Sequence, residues 1–301
     1  MARREDSPAS SETSSPWNSP RFISNHKARK RWDAVVKLLA VACVLAVVVP
    51  LGDLLYMFAY RGLEVISVAR LVDGTGAFVP GLSNAIVGTG LITGLSSLFA
   101  IPLGVLGGVY MAEFSKGGRF TDGLRFTADV LAGVPSIVLG YVGYVIFVIF
   151  FGWGFSALAA GIILSIIMFP YIFRTTEIAI RKVPLNIKEG AIALGSNKTT
   201  MINRLVLRFA LPGIMTGVLL SVGIALSETA PILYTASFAS YNPTGLLHSP
   251  VAYLTGVIWF FYQSSLPADV QLAYLSTFLL ILIVLVLNVV ARVGLSRFSK
   301  V

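Results

Sequence analysis

The chain has 301 residues; 56% are hydrophobic, only 12% are charged, and the formal net charge is +9. Soluble domains carry about 25% charged residues, so this composition, with a mean hydropathy of +0.82, argues against a soluble enzyme or a cytosolic binding module. One cysteine, Cys43, excludes an intramolecular disulfide framework and a multi-thiolate zinc site, and His26 and His248 are too few for a multi-histidine metal centre.

Taken in chain order, residues 1–32 read as a disordered cytoplasmic tail. Residues 7–20 are rich in Ser and Pro and almost free of aliphatic side chains, too little to order themselves. Lys27 to Arg31 suit anionic lipid headgroups. The first apolar run begins too late and is too long for a signal peptide. Six stretches then match the roughly 20 apolar residues that a helix needs to cross a bilayer core. They cover about 34–58, 84–112, 126–151, 156–173, 212–237 and 272–291. The expected fold is therefore all-α: a polytopic membrane protein whose membrane domain spans 33–301. Of the 23 Lys and Arg, all but Arg61 and Arg70 fall on one side of these spans. That side is cytoplasmic, so both termini lie inside and the excess charge needs no nucleic acid.

Several residues break the apolar pattern. Pro102, Pro135, Pro170 and Pro231 lie in or near four of the stretches. Each removes a backbone hydrogen bond, and in lipid the freed carbonyl must find a partner in protein or a wet cavity. Gly133-Val134-Pro135-Ser136 and Ser227-Glu228-Thr229-Ala230-Pro231 put a kink beside hydroxyls, which suits either a hinge on a translocation path or an ordinary kinked helix. Small-residue pairs at Gly90/Gly94, Gly104/Gly108 and Gly213/Gly217 permit close helix packing. Glu228 is the deepest acidic residue, roughly 24 Å along a helix starting near Pro212. A carboxylate there must be paired, hydrogen-bonded or protonated, and no basic residue occurs between Arg208 and Arg292. It either joins two helices or forms part of the solute path.

The longest cytoplasmic connection spans about 176–211. Pro184 suits the first turn of a helix, and Gly195 its end. Leu185, Ile187, Ala191 and Leu194 are expected to cluster toward one side, with Lys188 interrupting the stripe. Such a helix could lie on headgroups or dock into a soluble partner.

The run Glu189-Gly190-Ala191, three residues, then Gly195 resembles the cytoplasmic signature of ABC-type importer permeases, Glu-Ala-Ala followed by Gly. Gly190 replaces the middle Ala, which lowers helix propensity by about 1 kcal/mol. Farther on, Leu205-Val206-Leu207-Arg208 stands where the general signature has Ile-x-Leu-Pro. Four further stretches, Leu82 to Thr89, Ile101-Pro102-Leu103-Gly104 with Tyr110-Met111-Ala112-Glu113, Gly133 to Val138 and Glu228 to Pro231, resemble the A-type permease of the phosphate-specific transport system. That family commonly has an Arg one turn before the Glu of Glu-Thr-Ala-Pro; here Ile224 occupies the position. The missing guanidinium is either supplied by a partner permease or marks a path for a different solute.

The resemblance implies a six-helix type I importer permease in the plasma (inner) membrane of a prokaryote, translocating inorganic phosphate. It implies that Lys188, Glu189, Gly190, Ala191 and Gly195 couple the chain to an ATPase. Glu228, Thr229, Ser227, Ser136 and Pro135 are the candidate substrate pathway, with hydroxyls and backbone donors holding the anion transiently. No phosphate-cradling Gly-x-x-x-x-Gly-Lys-Ser/Thr loop occurs, so the chain is expected to be non-catalytic and to bind no cofactor, with ATP used by partner subunits. The implied partners are a homologous C-type permease, two cytoplasmic ATPases and an extracytoplasmic phosphate-binding protein. The other readings are an ABC permease for another oxyanion or small solute, and a non-conducting membrane sensor or scaffold tied to phosphate signalling.

Overall fold

The computed structural model describes residues 20–75, 81–115 and 117–298. Among them the structure is helical, and the only strand-like feature is an isolated bridge between Ser156 and Ser249. The chain divides after Met57 into two units. The first ends within α1 (Pro20–Val65), which starts inside the stretch expected as tail; residues 1–19 lie outside the described ones. From Trp32 onward α1 is a 34-residue apolar helix, long enough to span a bilayer.

The second unit is built on α2 (Val68–Val72), α3 (Ser83–Val109), α4 (Arg119–Gly133), α5 (Ser136–Gly143), α6 (Ala157–Arg181), α7 (Leu185–Ala193), α8 (Lys198–Met201), α9 (Leu207–Ser227), α10 (Ala230–Thr235), α11 (Leu254–Phe261) and α12 (Pro267–Phe298). Wider π-helical turns extend α3 over Tyr110–Phe114, extend α5 over Tyr144–Phe150 and join α8 to α9 over Ile202–Val206. α6 is the central rod: Ile163, Leu164, Met168 and Ile172 are fully or almost fully buried.

Its neighbours come close because glycines face it. A Cβ on Gly104 would lie 2.7 Å from Ile172, and one on Gly108 2.6 Å from Thr176, so α3 and α6 nearly touch. Gly213 does the same for α9 against Ala179. Gly90 and Gly94 differ: among the described residues nothing lies within 4 Å of a Cβ there, so that pair packs against none of them.

Among the described residues five helices are long and apolar enough to cross a membrane, and a bent pair makes six when counted as one span. That pair corrects the expected single stretch 126–151: α4 and α5 meet at 99°. The cause is Pro135, which has no N–H and forces Val134 into an extended conformation (ψ 129°). The fifth stretch also shifts. The helix begins at Lys198 and stops at Ser227 rather than running from 212 to 237. Asn197 starts it by accepting the Thr200 N–H at 2.7 Å, Glu228 leaves it in an extended conformation, and Pro231 restarts the chain in the first turn of α10. α6 runs two turns past its expected end, to Arg181. The connection expected over 176–211 thereby shrinks to 182–197, most of it α7.

Candidate functional site

Two clusters carry the residues singled out by sequence. The first is the pair of helix breaks. α9 ends at Glu228, whose N–H reaches back to Ala225 O at 3.3 Å and whose carbonyl accepts the Thr255 hydroxyl at 2.9 Å. α5 starts beside it, because a Cβ on Gly140 would lie 2.6 Å from Pro231 Cα. This approach brings Ser136, at the start of α5, beside Glu228. Sequence positions 92 residues apart thus share one locus, with Pro135 capping α5 and Thr229 preceding α10.

A groove of about 360 Å³ opens at this locus between α9 and α12, lined by Gly223, Ile224, Ser227, Glu228, Val284 and Asn288. Two of its polar groups are already engaged: Ser227 donates to Gly223 O at 2.9 Å and Asn288 to Val284 O at 2.8 Å. Ile224 lines the groove. Among the described residues no ion pair involves Glu228. The depth expected for Glu228, inside a continuous span, is therefore replaced by a place at a helix end, where backbone polar groups are also free of intrahelical partners.

The second cluster lies around α7, between α6 and α8. α7 presents Glu189, Gly190 and Ile192 to the outside, while Ile187 and Ala191 are half-buried. The expected one-sided apolar cluster does not form, since Leu185 and Leu194 are exposed, 67% and 90%. Gly195 closes the helix in the left-handed region (φ +83°). Its N–H bonds Ile192 O at 2.9 Å and Ser196 N–H bonds Ala191 O at 3.1 Å, a Schellman ending. Lys188 does not interrupt an outer stripe; it turns inward and pairs with Glu113 at the end of the α3 π-turn.

Sequence reasoning missed the charge hub beneath. Glu177, with a side chain only 4% exposed, accepts Arg125 Nη2 at 2.7 Å, Arg174 Nη1 at 3.0 Å and Arg181 Nε at 3.0 Å. Three guanidiniums let α6 carry a carboxylate through its last buried turn. The i,i+3 and i,i+4 spacing of Arg174, Glu177 and Arg181 was a readable signal; Arg125, on α4, was not.

The model of the binding-protein-dependent transport system inner membrane component matches residues 104–300, which include both clusters. The chain belongs to that family. Over 278 residues it is 39% identical to the phosphate transport system permease protein PstA 2 of Mycobacterium bovis, covering 92% of each chain. Over 288 residues it is 32% identical to the phosphate transport system permease protein PstA of Yersinia pestis, covering 92% of this chain and 95% of that one. A crystal structure of a bacterial alginate ABC transporter matches with a TM-score of 0.64 at 17% identity, covering 91% of this chain and 98% of that chain. At that identity the likeness carries the fold: a multi-pass membrane protein of the ABC importer permease type.

Proposed function

We propose that the chain is the non-catalytic permease subunit of an ATP-binding-cassette importer that moves inorganic phosphate across the plasma (inner) membrane of a prokaryote. The observation that carries this reading is the 39% identity to a phosphate permease over 92% of both chains. In this reading both termini are cytoplasmic, and the chain pairs with a homologous C-type permease. Two cytoplasmic ATPases bind and hydrolyse the ATP, and an extracytoplasmic protein delivers phosphate. The chain itself holds no cofactor.

The geometry supports a division of labour. α7 offers exposed Leu185, Glu189 and Ile192 as a short helix for a groove on an ATPase. Closure of the ATPases pushes α7, and the flanking α6 and α9 tilt. The breaks at Pro135 and Glu228 then open and close the path. Ser136 and Thr229, with the backbone groups freed at the breaks, are suited to hold an anion briefly. A denser cluster of cations would trap it, because conduction requires release as well as entry.

The test is uptake by the assembled transporter in vesicles, with phosphate, sulfate and molybdate compared. Phosphate uptake that depends on this chain and on ATP is expected; uptake unchanged by its loss sinks the reading. One feature favours the second reading, a permease for another oxyanion or small solute: Ile224 leaves the groove beside Glu228 without a local cation. Preferential uptake of sulfate or molybdate in the same assay would select it.

A further inference from the structure

The turn Tyr110–Phe114 at the cytoplasmic end of α3 is π-helical, closed by Ser115 N–H on Tyr110 O at 3.0 Å. A helix end leaves its last carbonyls without intrahelical partners and carries partial negative charge. Here cations fill those places, and all of them come from one other segment. Arg181, the last residue of α6, donates Nη2 to Met111 O at 2.9 Å. Lys188, in the middle of α7, pairs with the Glu113 carboxylate; the two side chains are only 15% and 8% exposed. Lys198, the first residue of α8, donates Nζ to Glu113 O at 2.6 Å and sits 4.5 Å from the centre of the Phe114 ring. The segment 182–197, which carries the exposed face of α7, is thus tied to α3 before, within and after its helix.

We propose that Glu113 is the socket through which α7 drives α3, making Glu113 and Lys188 positioning residues for energy coupling. α3 is not joined to the 182–197 segment by the chain, and the Glu113–Lys188 pair is the side-chain link from α7 itself to α3. It adds to the α3–α6 packing a direct route from α7 to a third long helix. Gly104 and Gly108 hold that helix against α6 with almost no intervening side chain, so α3 and α6 move as one body. The burial of the pair matters here. An exposed ion pair is weak and exchanges with water, whereas one largely removed from solvent strongly resists separation once formed. The wide π-turn fits the same role, since π-bulges expose carbonyls to outside donors and recur at functional sites.

The inference rests on the reading of α7 as the ATPase-docking helix. It is tested in the full transporter, reconstituted with its ATPases and binding protein, by measuring phosphate moved per ATP hydrolysed. Glu113→Gln keeps the side-chain volume and removes the charge. It is expected to retain ATPase association while the phosphate-to-ATP ratio falls about threefold or more. Glu113→Lys and Lys188→Glu are each expected to lower it at least tenfold, and the double exchange Glu113→Lys/Lys188→Glu to restore it to within threefold of the parent. A merely structural pair would alter yield or stability and leave the ratio unchanged. An unchanged ratio in Glu113→Gln, or no recovery in a double exchange that assembles normally, overturns the proposal. The underlying reading fails differently: Leu185→Asp with Ile192→Asp would then leave ATPase association intact.

Discussion

The layer around α7 and the mid-chain breaks treat their carboxylates in opposite ways. In that layer, Glu177 holds three guanidiniums and Glu113 takes Lys188, all at ion-pair distance. At the breaks, Glu228 lines an open groove, with no ion pair among the described residues. In the proposed reading the difference separates two jobs. A region that transmits force needs its polar groups tied, so that displacement at one end appears at the other. A region that passes an anion gains from groups that are free, because every engaged donor is one the solute cannot use.

That contrast can be broken by substitution, starting at the hub. Glu177→Leu leaves Arg125, Arg174 and Arg181 without their shared counter-charge. A loss of about 2–3 kcal/mol is expected once partial exposure of the guanidiniums is allowed for, read as a lower unfolding midpoint of the detergent-solubilised protein. If the midpoint does not move, the layer around α7 is not held by charge.

Glu228→Ala should do the reverse. Phosphate uptake is expected to fall at least about tenfold, equivalent to about 1.4 kcal/mol in the transport barrier, with an unfolding midpoint close to that of the parent. A large drop in stability with proportionate loss of uptake would assign Glu228 to packing instead.

Gly195→Ala tests the ending of α7. A side chain at φ +83° costs about 1–2 kcal/mol, which should fray α7 and weaken ATPase co-purification while leaving the membrane helices intact. The smallest effect is expected from Gly190→Ala. A Cβ there meets nothing within 4 Å, so the change gains up to about 1 kcal/mol of helix propensity with uptake unaltered. Lost uptake would mean that a partner needs the bare backbone at Gly190.

Much of this organisation is legible from the chain alone, for reasons that differ by residue. Apolar length found the spans, because a bilayer imposes a minimum that soluble helices rarely meet, but it ran 126–151 straight through a bend and set 212–237 too late in the chain. Pro135 and Pro231 marked both breaks, whereas Pro102 and Pro170, singled out with them, stay inside the continuous helices α3 and α6. The size of the bend at Pro135, 99°, was not legible. Likewise Lys188 looked like a flaw in an apolar stripe. Only the position of Glu113, 75 residues earlier, explains it.

Local sequence determined where helices start, how many cross the membrane and which side is basic. These follow from hydrogen bonding and transfer energies that act residue by residue. Tertiary structure decided which polar groups meet: Thr255 with Glu228, Arg125 with Glu177, Glu113 with Lys188. Such pairs join residues far apart in the chain, and what brings them together is close packing of glycine-faced helices, a property of surfaces in contact that no single stretch contains.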